Sequence, residues 1–410
     1  MFLLKWRKLM KKIITSEKLP IKLWLDDIEE GALKQAQNLA NLPFAFHHIS
    51  LMPDTHQGYG MPIGGVLSTI NAIIPHAVGS DCGCGMSYVQ TNLPLESFIN
   101  ENMGDGSSLI SGMVGNIRRN IPVGFNKHKT PQDWPGFNYA PDVEIIRQEL
   151  DNARLSLGTM GTNNHFLEIQ KDKNGLLAFM LHSGSRNLGK KICDYYNNKA
   201  MSLADSLDFK IPQEWQLAYL KLDSDEGQEY LKVLEFSLEF AKANRFLMME
   251  RMKNVVFNML EKYVGIKNIK ITENIDIHHN YAVLEEHFGE KVMVHRKGAI
   301  KQTVGEKGII PGNMESPSYI VKGLGNEESF TSASHGAGRA LGRKETGRRY
   351  TNQSVVERIK NKGIFLSKAS PEDTAAEGKD GYKDIDTVIA NEQDLIEVTN
   401  RLTQVAVIKG

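Results

Sequence analysis

The residues able to do chemistry in this chain sit at glycine-rich turns, in short clusters spread over its 410 residues. The densest is VGSDCGCGMSYV (78–89). Asp81 and Cys84 stand three apart among glycines there, so a carboxylate and a thiolate can reach one divalent ion, or bridge two, from a tight turn. Cys82 aims the other way where the segment is extended. A buried turn of small residues is the competing explanation. In GTMGTNNHFLEIQ (158–170), the amides Asn163 and Asn164 precede His165, and Glu168 follows three residues on; a histidine in such a setting can equally be a satisfied polar residue. In LHSGSRNLGKKI (181–192), His182 ends an apolar run. The glycines and lysines after it approach a P-loop, but Lys191 stands where a serine or threonine would hold Mg²⁺. That argues against a P-loop nucleotidase and leaves an anion-friendly glycine loop at a helix start. His278 and His279 are adjacent in ENIDIHHNYAVLE (273–285). Neighbours on a strand point to opposite faces, so at most one of them faces a common site. Ser316 and Ser318 offer hydroxyls in IIPGNMESPSYIVKG (309–323). His335 lies among small residues in SFTSASHGAGRALGRKE (329–345), open to close approach. Arg339, Arg343, Lys344, Arg348 and Arg349 follow it, opposed only by Glu345. They form either a solvated helix face or a track for a polyanion. Together, one aspartate, one cysteine and several histidines at glycine turns suit a borderline divalent ion such as Mn²⁺ or Zn²⁺. A separate histidine amid small residues, with arginines after it, suits a nucleophile attacking a phosphate.

These groups need rigid elements to hold them. Runs with strand character border the glycine clusters: GGVLSTI (64–70), MSYVQTN (86–92), LLAFMLHS (176–183), KVMVHRKG (291–298) and SYIVKG (318–323). Polar groups at strand ends, fixed by tight turns, are a common way to build a site. Tyr230, Val233, Leu234, Leu238, Ala241, Met248, Met252, Val255 and Met259 recur at helical spacing and predict one long helix, or two, over 229–263. Its methionines read as core filler rather than a cofactor box. Residues 104–142, rich in Gly, Pro and Asn, read as a long surface loop or insertion, and 370–380 as a loop. No repeat and no dividing linker is evident.

Composition narrows the class. Lys+Arg and Asp+Glu both number 49, so the net charge is zero. A uniformly basic surface is excluded, and a nucleic-acid partner must be held by a local patch. Cys82, Cys84 and Cys193 are an odd set, not a disulfide framework, and point to a reducing, cytoplasmic compartment. No apolar run of about 18 residues predicts a membrane span. The first residues make a poor signal peptide, and Met10 reads as a possible true start.

The clusters also resemble a known family. PDTHQGYGMPIGGV (53–66), GSDCGCGM (79–86), NNHFLE (163–168), HSGSR (182–186), HHNYA (278–282), HRKGA (295–299), SHGAGR (334–339), YKDI (382–385) and the terminal KG (409–410) together resemble the RtcB family of RNA ligases. The resemblance runs from about residue 21 to residue 410. It implies an α+β fold: a single large domain over 21–410 behind a 1–20 extension. Central, sandwich-like β-sheets would surround a deep metal and nucleotide pocket, with helices outside.

The resemblance further implies an enzyme that joins an RNA 3′-phosphate or 2′,3′-cyclic phosphate to a 5′-hydroxyl, using GTP and two Mn²⁺ ions, in RNA repair or tRNA splicing. It makes His335 the nucleophile that takes GMP. It makes Asp81, Cys84, His165, His182 and His279 the metal ligands, with Cys84 bridging; the family's His-Asn pair falls on His279 and Asn280, which leaves His278 out. The nucleotide pocket would comprise Asn164, Glu168, Asn280, Pro311, Gly312, Asn313, Met314, Ser318, His335, Gly336, Ala337, Gly338, Tyr382 and Lys409. Glu168 would read guanine N–H donors or hold the ribose, and Tyr382 would stack on the base. Lys409, next to the last residue, would have to fold back into the pocket. Glu315 departs from the pattern and would put an acid near phosphates. The partners implied are RNA ends and GTP, for a monomer with no membrane contact. A metal-dependent phosphoesterase using water is the alternative, and an idle RNA-end-binding protein a third.

Overall fold

Runs of β-branched and aromatic residues build two large sheets, and the site forms where their ends meet. The computed structural model describes residues 10–162, 164–368 and 374–410. Asn163, the stretch ahead of Met10 and the first part of the 370–380 segment lie outside them. The first sheet has the strand order Lys12–Ile14, Ile21–Leu23, Ala45–Tyr59, Met61–Thr69, Glu290–Lys297, Asn280–His287. The second runs Ile271–His278, Gly85–Pro94, Leu176–Ser183, Phe166–Lys171, Ile396–Lys409, Ser318–Gly323, Lys307–Ile310, with Phe365–Lys368 parallel beside Ile396–Lys409. The outer strands Ile271–His278 and Lys307–Ile310 approach each other, so this sheet nearly closes. Helices pack around the sheets, an α+β arrangement as expected. Each run with strand character is a strand.

The chain passes from the second sheet to the first at one residue. Ile271–His278 belongs to one sheet, Asn280–His287 to the other, and His279 lies between them. A side chain at such a seam is held from both sides.

The helical pattern at 229–263 is one continuous helix, Asp225–Val264. The Ser224 side chain accepts from the Gly227 N–H at its start, and Gly265, at φ 77°, ends it. Met248, Met252 and Met259 are buried in the core against strands of the second sheet, as filler. Ser237, Asn244 and Arg245 of this helix are fully buried as well. Asn244 accepts from the backbone of Gly158 and Thr159 and donates to Gly184 O. Arg245 pairs with Asp276 at 2.6 Å and donates to the carbonyls of Gly83 and Ser183. A buried guanidinium is tolerable only when so fully partnered. Here it ties the turn before Gly85–Pro94 to the end of Leu176–Ser183.

The expected loop at 104–142 contains the helix Leu109–Asn120, which buries Leu109, Met113 and Ile117. Their four-residue spacing outweighs the glycines around them. The described part of 370–380 folds into two tight turns, Ala375–Glu377 and Lys379–Gly381.

Candidate active site

Strand register assembles the metal-ligating residue types. Gly85 pairs with both Ser183 and His278, and Phe166 pairs with His182. Cys84 precedes Gly85, His165 precedes Phe166, His182 sits one residue from its strand's end, and His279 follows His278. All four therefore lie at the same end of four neighbouring strands, and Asp81 reaches in from the turn before Cys84.

The Cys84 Sγ lies 3.3 Å from His165 Nε2 and 3.1 Å from His182 Nε2. His182 Nε2 is 3.3 Å from His279 Nε2, and His165 Nε2 is 3.2 Å from Asp81 Oδ2. Two groups result, Asp81–Cys84–His165 and Cys84–His182–His279, each with donor atoms within 4.8 Å of one another and sharing the sulfur. The Nδ1 atoms of His165 and His182 lie 3.1 Å from the carbonyls of Met160 and Asn164. Carbonyls only accept, so those nitrogens carry the protons and each Nε2 presents a lone pair toward Cys84. Burial pushes His182 and His279 well below the ordinary histidine range, which keeps them neutral. Burial works upward on Asp81, but its neighbours His165, Cys84 and His182 together outweigh this and hold the carboxyl at about 2. Burial, with Asp81 beside it, pushes the Cys84 thiol well up, so only a cation there would draw off its proton. One thiol, three imidazoles and a carboxylate fit a pair of borderline divalent ions sharing the sulfur. His278 turns away, onto Gly83 O and Arg245.

His335 follows the short strand Ser332–Ser334, and its ring lies 4.8 Å from that of His279. Its Nδ1 is 2.6 Å from Oδ2 of Asp54, which also accepts from the His335 backbone N–H at 3.1 Å. Asp54 is fully buried on the strand Ala45–Tyr59. The carboxylate fixes the proton on Nδ1 and leaves the lone pair on Nε2 free. Gly298, at φ 64°, keeps the approach clear: a Cβ there would stand 3.0 Å from His335 Cε1. Asp54 carries no marker in sequence beyond its place in PDTHQGYGM. Behind it, Glu392 accepts from the Ser334 N–H at 2.9 Å, and burial pushes its carboxyl to about 8.

A cavity of about 370 Å³ joins these groups. Asn164, Glu168, Asn280, Pro311, Gly312, Asn313, Met314, Gly336, Ala337, Gly338, Tyr382 and Lys409 line it, with His335, Asp81, Cys84, His182 and His279. His165 stands behind the wall, and so does Ser318, whose Oγ accepts from the Gly312 N–H at 3.3 Å. Ser318 therefore supports the 311–314 loop from outside. Asn280 donates to Asp81 O at 3.1 Å and accepts from the Gly298 N–H at 2.8 Å, bracing both turns. Burial pushes the Glu168 carboxyl to about 8, against the Gln170 amide and the Lys409 charge.

Glu377 is the largest omission of the sequence reading. It is buried, and it takes Lys409 Nζ at 2.9 Å, the Tyr382 hydroxyl at 2.6 Å and Arg343 Nε at 3.0 Å. Burial acts upward on it, but the Lys409 and Arg343 charges hold it below the usual carboxylate range. Arg339 sits 4.9 Å over the Tyr382 ring. Arg339 and Arg343, of the basic run read as a solvated face or a polyanion track, thus reach inward to Tyr382 and Glu377; Arg343 remains exposed, like Lys344, Arg348 and Arg349. Glu315 does not approach the cavity as a free acid. It pairs with Arg358 at 2.8 and 2.9 Å and accepts from the Lys379 N–H.

The chain matches the family model described as tRNA-splicing ligase RtcB over residues 35–136 and 136–410. An RNA-splicing ligase RtcB of Escherichia coli (strain K12) is 37% identical, over 97% of this chain and 99% of that protein. A tRNA-splicing ligase RtcB of Nanoarchaeum equitans is 31% identical over 93% and 92%. One from Thermococcus kodakarensis is 28% identical over 93% and 92%.

Proposed function

This chain belongs to the RtcB family, and from that premise we propose that it is an RNA ligase of repair or splicing, joining a 3′-phosphate or 2′,3′-cyclic phosphate end to a 5′-hydroxyl end with GTP as the energy source. The observation that carries this reading is His335, oriented by Asp54 beside two ligand groups that share Cys84. A hydrolase would use such a histidine only to take a proton from water and would form no covalent nucleotide on it.

The residues divide the work by chemistry. His335 Nε2 attacks the α-phosphorus of GTP; an N–P bond forms, the P–O bond to the β-phosphate breaks, and pyrophosphate leaves. Asp54 holds the Nδ1 proton and stabilises the positive ring that results. An oxygen of the RNA 3′-phosphate then takes GMP from His335, restoring the free ring. The 5′-hydroxyl attacks the activated 3′-phosphorus and GMP leaves. Asp81, Cys84, His165, His182 and His279 would hold two Mn²⁺ ions, which when bound neutralise phosphate oxygens and align the displacement. Glu168, once ionised, can accept two N–H donors from the guanine edge. Tyr382 and Met314 offer faces to the base, and Lys409 a cation. The glycines 336 and 338 let the backbone approach a phosphate. No helix among the described residues is long and apolar enough to cross a membrane, and a monomer in the cytoplasm, with its cysteines reduced, completes the reading.

The test is covalent labelling. Purified protein, Mn²⁺ and α-labelled GTP are run on a denaturing gel beside His335→Ala. Label on wild type alone supports the histidine–GMP step. A folded, metal-loaded wild type that takes no label overturns it and returns the phosphoesterase.

A further inference from the structure

A second, larger cleft opens beside the catalytic cavity. Its volume is about 1130 Å³, against about 370 Å³ for the first, and the two share Ile63, Gly79, Ser80 and Lys297 as a common wall. It runs between the helix Leu188–Leu203 and the segment 204–219. The smaller cavity is at the low end of the roughly 300–1,000 Å³ of ordinary small-molecule sites. It has room for one nucleotide and not for a strand as well.

Three observations say what the large cleft suits. Tyr59 and Phe209 line the cleft and are 56% and 44% exposed. Tyr59 is braced edge-on against His76 at 4.7 Å, so its free face is held ready. Asn197, 7% exposed, has its side-chain carbonyl buried without a hydrogen-bond partner, and it lines the cleft. Among the lysines and acids of the wall, Lys190 and Lys297 are opposed by Asp194 alone. Stacking faces, an unsatisfied amide acceptor and a small cationic excess are the means by which proteins hold single-stranded RNA.

We propose that this cleft is the subsite for the nucleotides adjoining an RNA end, whose terminal phosphate or hydroxyl passes the Ser80–Lys297 wall to reach His335. The bases stack on Tyr59 and Phe209, and a base N–H satisfies Asn197. This rests on the ligase reading.

The test uses the full chain with Mn²⁺, GTP and an RNA of about ten nucleotides. Tyr59→Ala with Phe209→Ala removes the stacking faces. Met201→Glu, at a position 42% exposed on the same wall, adds a repelling charge without disturbing the core. Both should raise the KM for the RNA about tenfold or more, leave labelling by GTP unchanged, and leave a dinucleotide substrate little affected. Presenting the variants with excess of one strand at a time shows whether the 3′- or 5′-bearing strand lies there. An unchanged KM in either variant, with wild-type melting behaviour, overturns the proposal. Should wild type take no label at all, the ligase reading fails, and binding of fluorescent RNA decides the cleft by itself: tenfold weaker binding in Met201→Glu retains it, and equal binding removes it.

Discussion

His335 Nδ1 lies 2.6 Å from Oδ2 of Asp54, a carboxylate wholly removed from solvent and 281 residues away in sequence. The pair sets which ring nitrogen carries the proton and which keeps its lone pair. Asp54→Asn keeps the shape but loses the charge that stabilises the phosphorylated ring. Label transfer from GTP should slow by on the order of 10²–10⁴-fold, with the melting temperature near that of wild type. Labelling at the wild-type rate would remove Asp54 from the chemistry.

Cys84 belongs to both ligand groups, whereas His165 belongs to one. Metal counting on dialysed protein should therefore give two ions for wild type, one for His165→Ala and none retained by Cys84→Ala. Chelation should abolish labelling and Mn²⁺ should restore it. Two ions on Cys84→Ala would show that the sulfur is not shared.

Glu168 links stability to pH. Its carboxyl stands at about 8 in the fold against an ordinary 4.5, because burial disfavours the charge. Folding therefore favours the protonated form, so this group's contribution to stability falls as pH rises from about 4.5 and is lost above about 8. Glu392 titrates in the same window, so wild type alone is uninformative. Relative to wild type, Glu168→Gln should gain on the order of a few degrees in melting temperature between pH 5 and pH 8. It should also lose preference for GTP over ITP, which lacks the guanine amino group. A pH-independent difference between the two proteins would count against a buried neutral acid.

Glu377 and Lys409 form an ion pair with side chains only 3% and 5% exposed. Glu377→Gln strands the lysine in a buried position and should cost about 3–5 kcal/mol in denaturant unfolding. Glu345→Gln breaks an exposed pair with Arg349 and should cost under about 1 kcal/mol. Equal costs would mean the buried pair is hydrated.

Glu315 is neutralised by Arg358 and does not face the cavity. Glu315→Gln should lose about 1–3 kcal/mol of stability and leave nucleotide preference as it is. A change in preference with stability intact would place its charge near the phosphates after all.

The sequence by itself determined the local parts: the strands, read from short runs of apolar and β-branched residues, the long helix with its period near 3.6, and the polar groups set at strand ends by glycine turns. Cys84 and His182 adjoin runs read as strands, so their places were legible before any pairing was known, whereas the strands Phe166–Lys171 and Ile271–His278 that carry His165 and His279 emerge only in the structure. The family resemblance added the roles. Tertiary structure alone decided the rest. Strand register brought four ends together, and the change of sheet at His279 turned it, and not His278, inward. Long-range contacts placed Asp54 behind His335, Asn244 and Arg245 under the turns that carry Cys84 and His182, and Glu377 at the centre of Lys409, Tyr382 and Arg343. Such partners have no spacing signature, because a hydrogen bond between residues hundreds apart is chosen by the packed fold and imposes no period on the chain around it.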